Sequence, residues 1–146
     1  MKNAAIGSLL AVAVLASGCA SVDPKANVAE DRVVYHVNNS QAQAVAALRN
    51  IGNHLEVNPK AKIVVVTHAA GVDFLFDGAK DANGNPYNIA VEQLKAQGVE
   101  FDVCQITLRN RKLDKSKFIP EASFVPSGVA EITRLQQREG YAYLRP

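Results

Sequence analysis

One cysteine carries the sharpest chemical signal in the body of this sequence. Cys104 follows the run Val99-Glu100-Phe101-Asp102-Val103, and the only other cysteine is Cys19 near the N-terminus. Cys104 therefore has no disulfide partner within the folded region. It is then a reactive thiol, half of an intermolecular bond, or a small buried apolar group. A thiol between a strand end and a helix start meets backbone N–H dipoles that favour the thiolate, the form that acts as a nucleophile. Downstream lie Arg109, Arg111, Lys112, Lys115 and Lys117 against one acid, Asp114. Such cations would lower the thiol pKa further and attract an anionic sulfur substrate, unless they only form a solvated face.

Other polar residues close apolar runs in the same way. His68 follows Lys62-Ile63-Val64-Val65-Val66-Thr67, where it would shuttle a proton, orient the thiol or be capped by a backbone carbonyl. Asn38, Asn39 and Ser40 follow Arg32–Val37, and Ser127 and Gly128 follow Ala122–Val125. In an open parallel sheet these ends share one rim, where ligands bind. His36, inside the first run, is expected in the core, and His54 is expected to be solvated. No His/Cys pair has metal-ligand spacing, so no metal is expected. There is no Gly-rich phosphate loop and no Gly-x-Ser-x-Gly elbow, so no cofactor is expected either.

The elements that must hold these residues alternate strand with helix. Arg32–Val37 is β-branched and reads as a strand. Ser40 and Gln43 form a capping-box pattern, and Ala44, Leu48, Ile51 and Leu55 recur at helical spacing until Asn58-Pro59. The continuous apolar run to Thr67 predicts a strand covered on both faces. Gly71–Phe76 reads as a short strand or turn, and Phe74-Leu75-Phe76 as an apolar cluster that a monomer would expose. Asn85 as N-cap with Pro86 at the first helical position opens a second helix, ended by Gly98. Val99–Val103 alternates apolar and acidic residues, which predicts a less fully covered strand. The connection from Gln105 to Lys117 starts with a helical turn. After the strand Ala122–Val125, a helix with Val129, Ile132 and Leu135 inward runs to Gly140, and Tyr141–Leu144 is the last strand. This order calls for an α/β fold with a mostly parallel sheet and helices on both faces.

The chain has 146 residues, 48% hydrophobic and 21% charged, with a formal net charge of +2. That allows one domain, excludes a disordered or low-complexity chain, and is too neutral for an electrostatic grip on nucleic acid. Lys2, the apolar stretch Ile6–Leu15 and the small residues Ala16-Ser17-Gly18 read as a signal segment over residues 1–18, too short to span a bilayer. Leu15–Cys19 resembles a bacterial lipobox, with Ala16 at the place usually held by Leu. That resemblance implies cleavage before Cys19 and its lipidation, with residues 19–31 as a tether. Ala20, in place of the Asp that retains lipoproteins at the inner membrane, points to a periplasm-facing protein at the outer membrane. Ordinary cleavage after Ala20 would instead leave it soluble in the periplasm.

Val33–Asn39, Lys62–His68, Gly71–Leu75, Val99–Cys104 and Pro126–Ile132, in this order and spacing, resemble the DsrE/DsrF-like proteins, a likeness that covers residues 32–146. The resemblance implies a three-layer α/β/α sandwich with a mainly parallel five-stranded sheet, assembled as a trimer or hexamer. Several members are sulfur-relay proteins that carry a persulfide on a cysteine, and Cys104 matches that position. The implied activity is that of a sulfur carrier or sulfurtransferase-like protein in the cell envelope. It would exchange sulfur with a thiol or sulfane-sulfur donor and acceptor. Cys104 would be the nucleophile, Arg109 would stabilise the thiolate, and His68 would move protons. Asn38, Arg109, Arg111, Ser127 and Gly128 would line the binding rim. The alternatives are a lipid-anchored oligomer that binds a small ligand or partner without catalysis, and an inert buried thiol.

Overall fold

The computed structural model describes residues 30–146. The signal segment, Cys19 and most of the tether lie outside the described residues. The elements are β1 (Arg32–Asn39), α1 (Ser40–Val57), β2 (Lys62–Ala70), α2 (Tyr87–Ala96), β3 (Glu100–Cys104), α3 (Gln105–Arg111), β4 (Ala122–Val125), α4 (Gly128–Glu139) and β5 (Ala142–Leu144). All five strands pair in parallel, in the order β4-β3-β2-β1-β5.

That order dictates the layers. From β1 to β4 each strand is added on the same side of the last, so the first three connections share one face of the sheet. Ala44, Ala47, Ile51 and Leu55 of α1 and Val91 and Leu94 of α2 accordingly join Val33, Tyr35, Ile63, Val65, Phe101 and Val103 in the main core. The connection from β4 to β5 must travel back across β3, β2 and β1. The same handedness puts α4 on the opposite face, where Ile132 and Leu135 cover Val34, Val64 and Val66. The result is the three-layer α/β/α sandwich.

Several local expectations shift. Asn39, not Ser40, caps α1, its side chain accepting from the Ala42 N–H at 3.1 Å. Gln43 Oε1 accepts from the N–H groups of Asn38 and Asn39, so the reciprocal cap slides by one residue. Ser40 instead ties α1 to the β2 exit, donating to Ala70 O and accepting from the Phe74 N–H. Asp81 holds Asn85 in a loop by accepting from its backbone and side chain, which leaves Pro86 as the cap of α2. Phe74 and Leu75 are fully buried in the main core, so the apolar cluster is not an exposed patch. Val129 is 59% exposed, because the apolar side chains of α4 that pack on the sheet are Ile132 and Leu135.

β3 departs most from its pattern. Val99, though buried, precedes the strand, and Phe101 to Cys104 are all buried because β2 and β4 flank the strand. The acidic residue in the alternation is therefore inside: Asp102 is 5% exposed, on the α4 side of the sheet. Burial pushes its carboxyl up to about 6, helped by Glu131 and Glu100 and opposed by Lys95 and Arg134. An unfolded chain ionises this group near about 3.9, so the charged form is the one the fold disfavours. The cost is absent below about pH 4, grows as pH rises toward 6, and is constant above. Asp102→Asn is expected to raise stability by on the order of 1–2 kcal/mol at neutral pH in urea unfolding. It should give no such gain at pH 4; an equal gain at both would exclude ionisation as the cause.

Gly71 closes the turn after β2, donating its N–H to His68 O at 2.8 Å. A Cβ there would lie 2.1 Å from Val37 O and 2.6 Å from the Asn38 Cα, both backbone atoms that cannot swing away. Gly71→Ala should therefore force the ends of β1 and β2 apart and cost roughly 3 kcal/mol or more in thermal or urea unfolding.

Candidate functional site: a thiol pocket at the strand ends

Parallel strands bring their carboxyl ends to one rim, and α4 begins there. Its first residue, Gly128, is buried between two candidate side chains. A Cβ on Gly128 would sit 3.3 Å from the Cys104 Cβ, 3.3 Å from Thr67 O and 3.4 Å from the His68 Cβ. Glycine thus lets the start of α4 press against the ends of β2 and β3. Beside this contact opens a pocket of about 590 Å³, lined by His68, Ala69, Ala70, Cys104, Ile106, Thr107, Asn110, Arg111, Ser127 and Val129.

Cys104 is 5% exposed and forms part of the pocket wall where β3 turns into α3. Burial pushes its thiol up, but the N–H groups of Gly128, Thr107 and Ile106 and the Thr107 hydroxyl outweigh it, so the pKa falls below the ordinary thiol value. None of these closes as a formal side-chain cap of α3. The sulfur is held in the combined field of several donors around it. Thr107 is fixed for this task. Its Oγ1 accepts the Ala69 N–H at 2.9 Å, so its own proton is free to face the sulfur. Ala69 itself sits in the left-handed region, at φ 51°, a strained conformation for a side-chain-bearing residue.

The basic run plays a smaller part than its charge suggests. Only Arg111 reaches the pocket, and it already donates to Asp73 Oδ1 at 2.6 Å and to Ala69 O at 2.8 Å. Arg109, Lys112, Lys115 and Lys117 are exposed and do not line it. The lowered thiol pKa rests on nearby N–H and O–H donors and not on these cations. Asn38 also stays out of the pocket: its Oδ1 accepts from Arg145. Ser127 lines the pocket while capping α4, its hydroxyl facing the Ala130 N–H at 3.4 Å.

His36 is not a core residue. It is half-buried on the α4 side, with Nε2 2.7 Å from His68 Nε2 and Nδ1 2.6 Å from the Tyr143 hydroxyl. Burial lowers the pKa of both rings; Arg145 adds to this for both, and the neighbouring His68 adds further for His36. His54, expected to be solvated, is half-buried and bonds Asp31 at 3.1 Å. Among the described residues no three His, Cys, Asp or Glu side chains converge to hold a metal ion.

The model of the DsrE/DsrF-like family matches residues 31–146. The chain belongs to the DsrE/DsrF-like family. Among solved structures, the protein MTH1491 of Methanobacterium thermoautotrophicum, described as of unknown function, is 31% identical. It matches with a TM-score of 0.71 over 80% of this chain and 100% of its own. The ychN protein of E. coli shares the fold at 16% identity, with a TM-score of 0.67 over 80% of this chain and 99% of its own. No curated protein matches the chain significantly. The family is associated with sulfur relay.

Within this DsrE-like fold, Cys104, His68, Arg111, Ser127 and Gly128 come together, whereas Asn38 and Arg109 do not. Thr107, His36 and Tyr143 are additions. Thr107 had a signal in the sequence, since it lies at the third helical position after a residue that caps α3. Thr107→Val should raise the Cys104 thiol pKa by about one to two units, the value of one hydrogen bond to a charged atom. Thr107→Ser, which keeps the hydroxyl, should stay near the parent. The pH dependence of Cys104 alkylation in the native protein reads this out, and coincident profiles for all three would show that the hydroxyl does not act on the sulfur.

Proposed function

We propose that this DsrE-like protein is a sulfur carrier that holds a persulfide on Cys104. The observation that carries the reading is the Cys104 sulfur, facing an open pocket and surrounded by hydrogen-bond donors that favour its thiolate. The thiolate attacks the outer sulfur of a sulfane donor. A new S–S bond forms on Cys104, the donor S–S bond breaks, and the donor leaves as a thiolate or, from thiosulfate, as sulfite. An acceptor thiolate then attacks the outer sulfur, takes it, and returns Cys104 as thiolate. Both steps are redox-neutral exchanges. His68 holds and returns the thiol proton. The low exposure of Cys104 favours a slim donor over a bulky one.

Family membership supports self-association, as a trimer or hexamer, and the lipobox-like Leu15–Cys19 supports lipid anchoring at Cys19 on the periplasmic side of the envelope. A second reading, non-covalent binding of a small apolar ligand, is favoured by the exposed Ile106 and Val129 at the pocket mouth. Mass spectrometry of the full-length protein after exposure to polysulfide or thiosulfate separates the two. The carrier gains the mass of one or more sulfur atoms, removable by a reductant. Cys104→Ser should fold normally and gain nothing. A wild-type protein that stays unmodified under both donors would rule out the carrier.

A further inference from the structure

One proton-bearing side chain stands on each of four adjacent strands, all on the sheet face that α4 only partly covers. Cys104 ends β3, His68 lies near the end of β2, His36 is in β1 and Tyr143 is in β5, following the order β3-β2-β1-β5. Strand alternation accounts for the common face. Val34, Val64 and Val66 contact α4, and His36 and His68 follow them at even spacing, while Val33, Tyr35, Ile63 and Val65 point to the other core. Two short hydrogen bonds join three of the four: His68 Nε2 to His36 Nε2 at 2.7 Å, and His36 Nδ1 to Tyr143 Oη at 2.6 Å. At one end His68 lines the Cys104 pocket; at the other Tyr143 is 39% exposed.

We infer that Tyr143, His36 and His68 form a proton relay between the Cys104 pocket and solvent at the β5 edge. His36 and Tyr143 act in it as positioning residues for His68. Two imidazole nitrogens facing each other at this distance share one proton, so the rings must adopt complementary tautomers. In one state His68 Nε2–H donates to His36 Nε2, His36 Nδ1–H donates to Tyr143 Oη, and the phenolic proton faces water. His68 Nδ1, which has no protein partner among the described residues, is then free to take a proton.

When the Cys104 S–H bond breaks, that proton goes to His68 Nδ1. The Nε2 proton of His68 passes to His36 Nε2, the Nδ1 proton of His36 passes to Tyr143, and tyrosine releases one to water. Both rings are neutral before and after, and only their tautomers have exchanged. Neutral rings are what the surroundings favour. Arg145 from the C-terminal segment is the cation that acts on both, Arg111 with Asp73 lies across the pocket, and α4 offers the uncharged Gly128 and Val129, with Glu131 a turn further on. The inference rests on Cys104 working as a thiolate, as the carrier reading requires.

The test uses the full-length chain labelled with nitrogen-15 in histidine. In the wild type one Nε2 of the pair should appear protonated and the other not, with neither ring titrating at the free value of about 6.5. Tyr143→Phe should alter the His36 Nδ1 signal, and His36→Gln should leave His68 titrating alone, still below that value because burial and Arg145 are unchanged. Loading of Cys104 by polysulfide at low buffer concentration should slow about tenfold in both variants and recover on adding imidazole, which carries the proton instead. Such rescue is not expected of a defect in packing. Histidines that titrate independently, or variants that load at the wild-type rate without imidazole, would overturn the relay. If the wild type takes up no sulfur, the carrier reading fails on its own. The relay is then judged by the histidine signals and by iodoacetamide alkylation of Cys104, whose pH profile should gain an inflection from His68 in His36→Gln. An unchanged alkylation profile would overturn it.

Discussion

The return crossing of α4 is the constraint on which the site depends. Four strands laid down in one direction leave one face of the sheet without a helix, and only a connection running back to the first strand can cover it. α4 makes that crossing, so its N-terminus falls beside the ends of β2 and β3 at the rim. Gly128 permits the approach, and its N–H then faces the Cys104 sulfur. A residue from the fourth connection thus completes a thiol site begun by the third strand. The helix is short, and a single turn of it, Ile132 to Leu135, covers the centre of the sheet. The rest of that face stays open, which is why polar side chains can occupy it.

Two opposing effects meet at the thiol, and the closer one prevails. Burial disfavours charge, as it does two residues earlier at Asp102, whose carboxyl is pushed up. Cys104 lies in the same strand on the same face, yet its pKa moves toward the charged form. The difference is local: several N–H groups and a hydroxyl face the sulfur, whereas among the described residues no side chain donates a hydrogen bond to the Asp102 carboxyl. Distant cations contribute little, because exposed lysines are screened by water within about a Debye length. Arg111 is near enough to matter, but its charge is already matched by Asp73. The pocket is therefore closer to neutral than the basic run around it suggests. Its Ile106 and Val129 rim gives the mouth an apolar edge, which on the proposed carrier reading would help select a donor alongside charge.

The sequence was legible where a pattern is local. The five strands, the α1 face, the stop at Gly140 and the placing of Cys104, His68 and Ser127 at or near strand ends all follow from periodicity and turn chemistry. Misreadings came where one element answers to another. Asn39 takes the place of Ser40 as the cap, and Ser40 is engaged at the exit of β2, the next element. The alternation in β3 looked half-solvated because a sequence does not show that the strand is interior. Val129 matched the apolar stripe of α4, but at that turn it is Gly128 that meets the strand ends, and Val129 lines the open pocket. The basic run was overvalued for a similar reason, since Lys112, Lys115 and Lys117 lie beyond α3 and, with Arg109, stay outside the pocket.

The histidine pair shows the same limit in its clearest form. His36 and His68 are thirty-two residues apart and carry no motif between them. Their meeting depends on register: His36 lies level with Val66, so His68 is two residues further along the neighbouring strand and on the same face. A slip of one residue would turn one ring into the main core and leave the other facing an apolar wall. The register is itself held by Gly71, where the backbone of the β2 exit touches Val37 and Asn38 with no room for a side chain. β5 then adds Tyr143 by pairing with β1 at Val34, beside His36. Each of these contacts is set by backbone geometry before any side chain meets another. A row of polar groups across four strands is thus a consequence of parallel pairing, and the relay inferred above would use that row to link the Cys104 pocket with solvent at Tyr143.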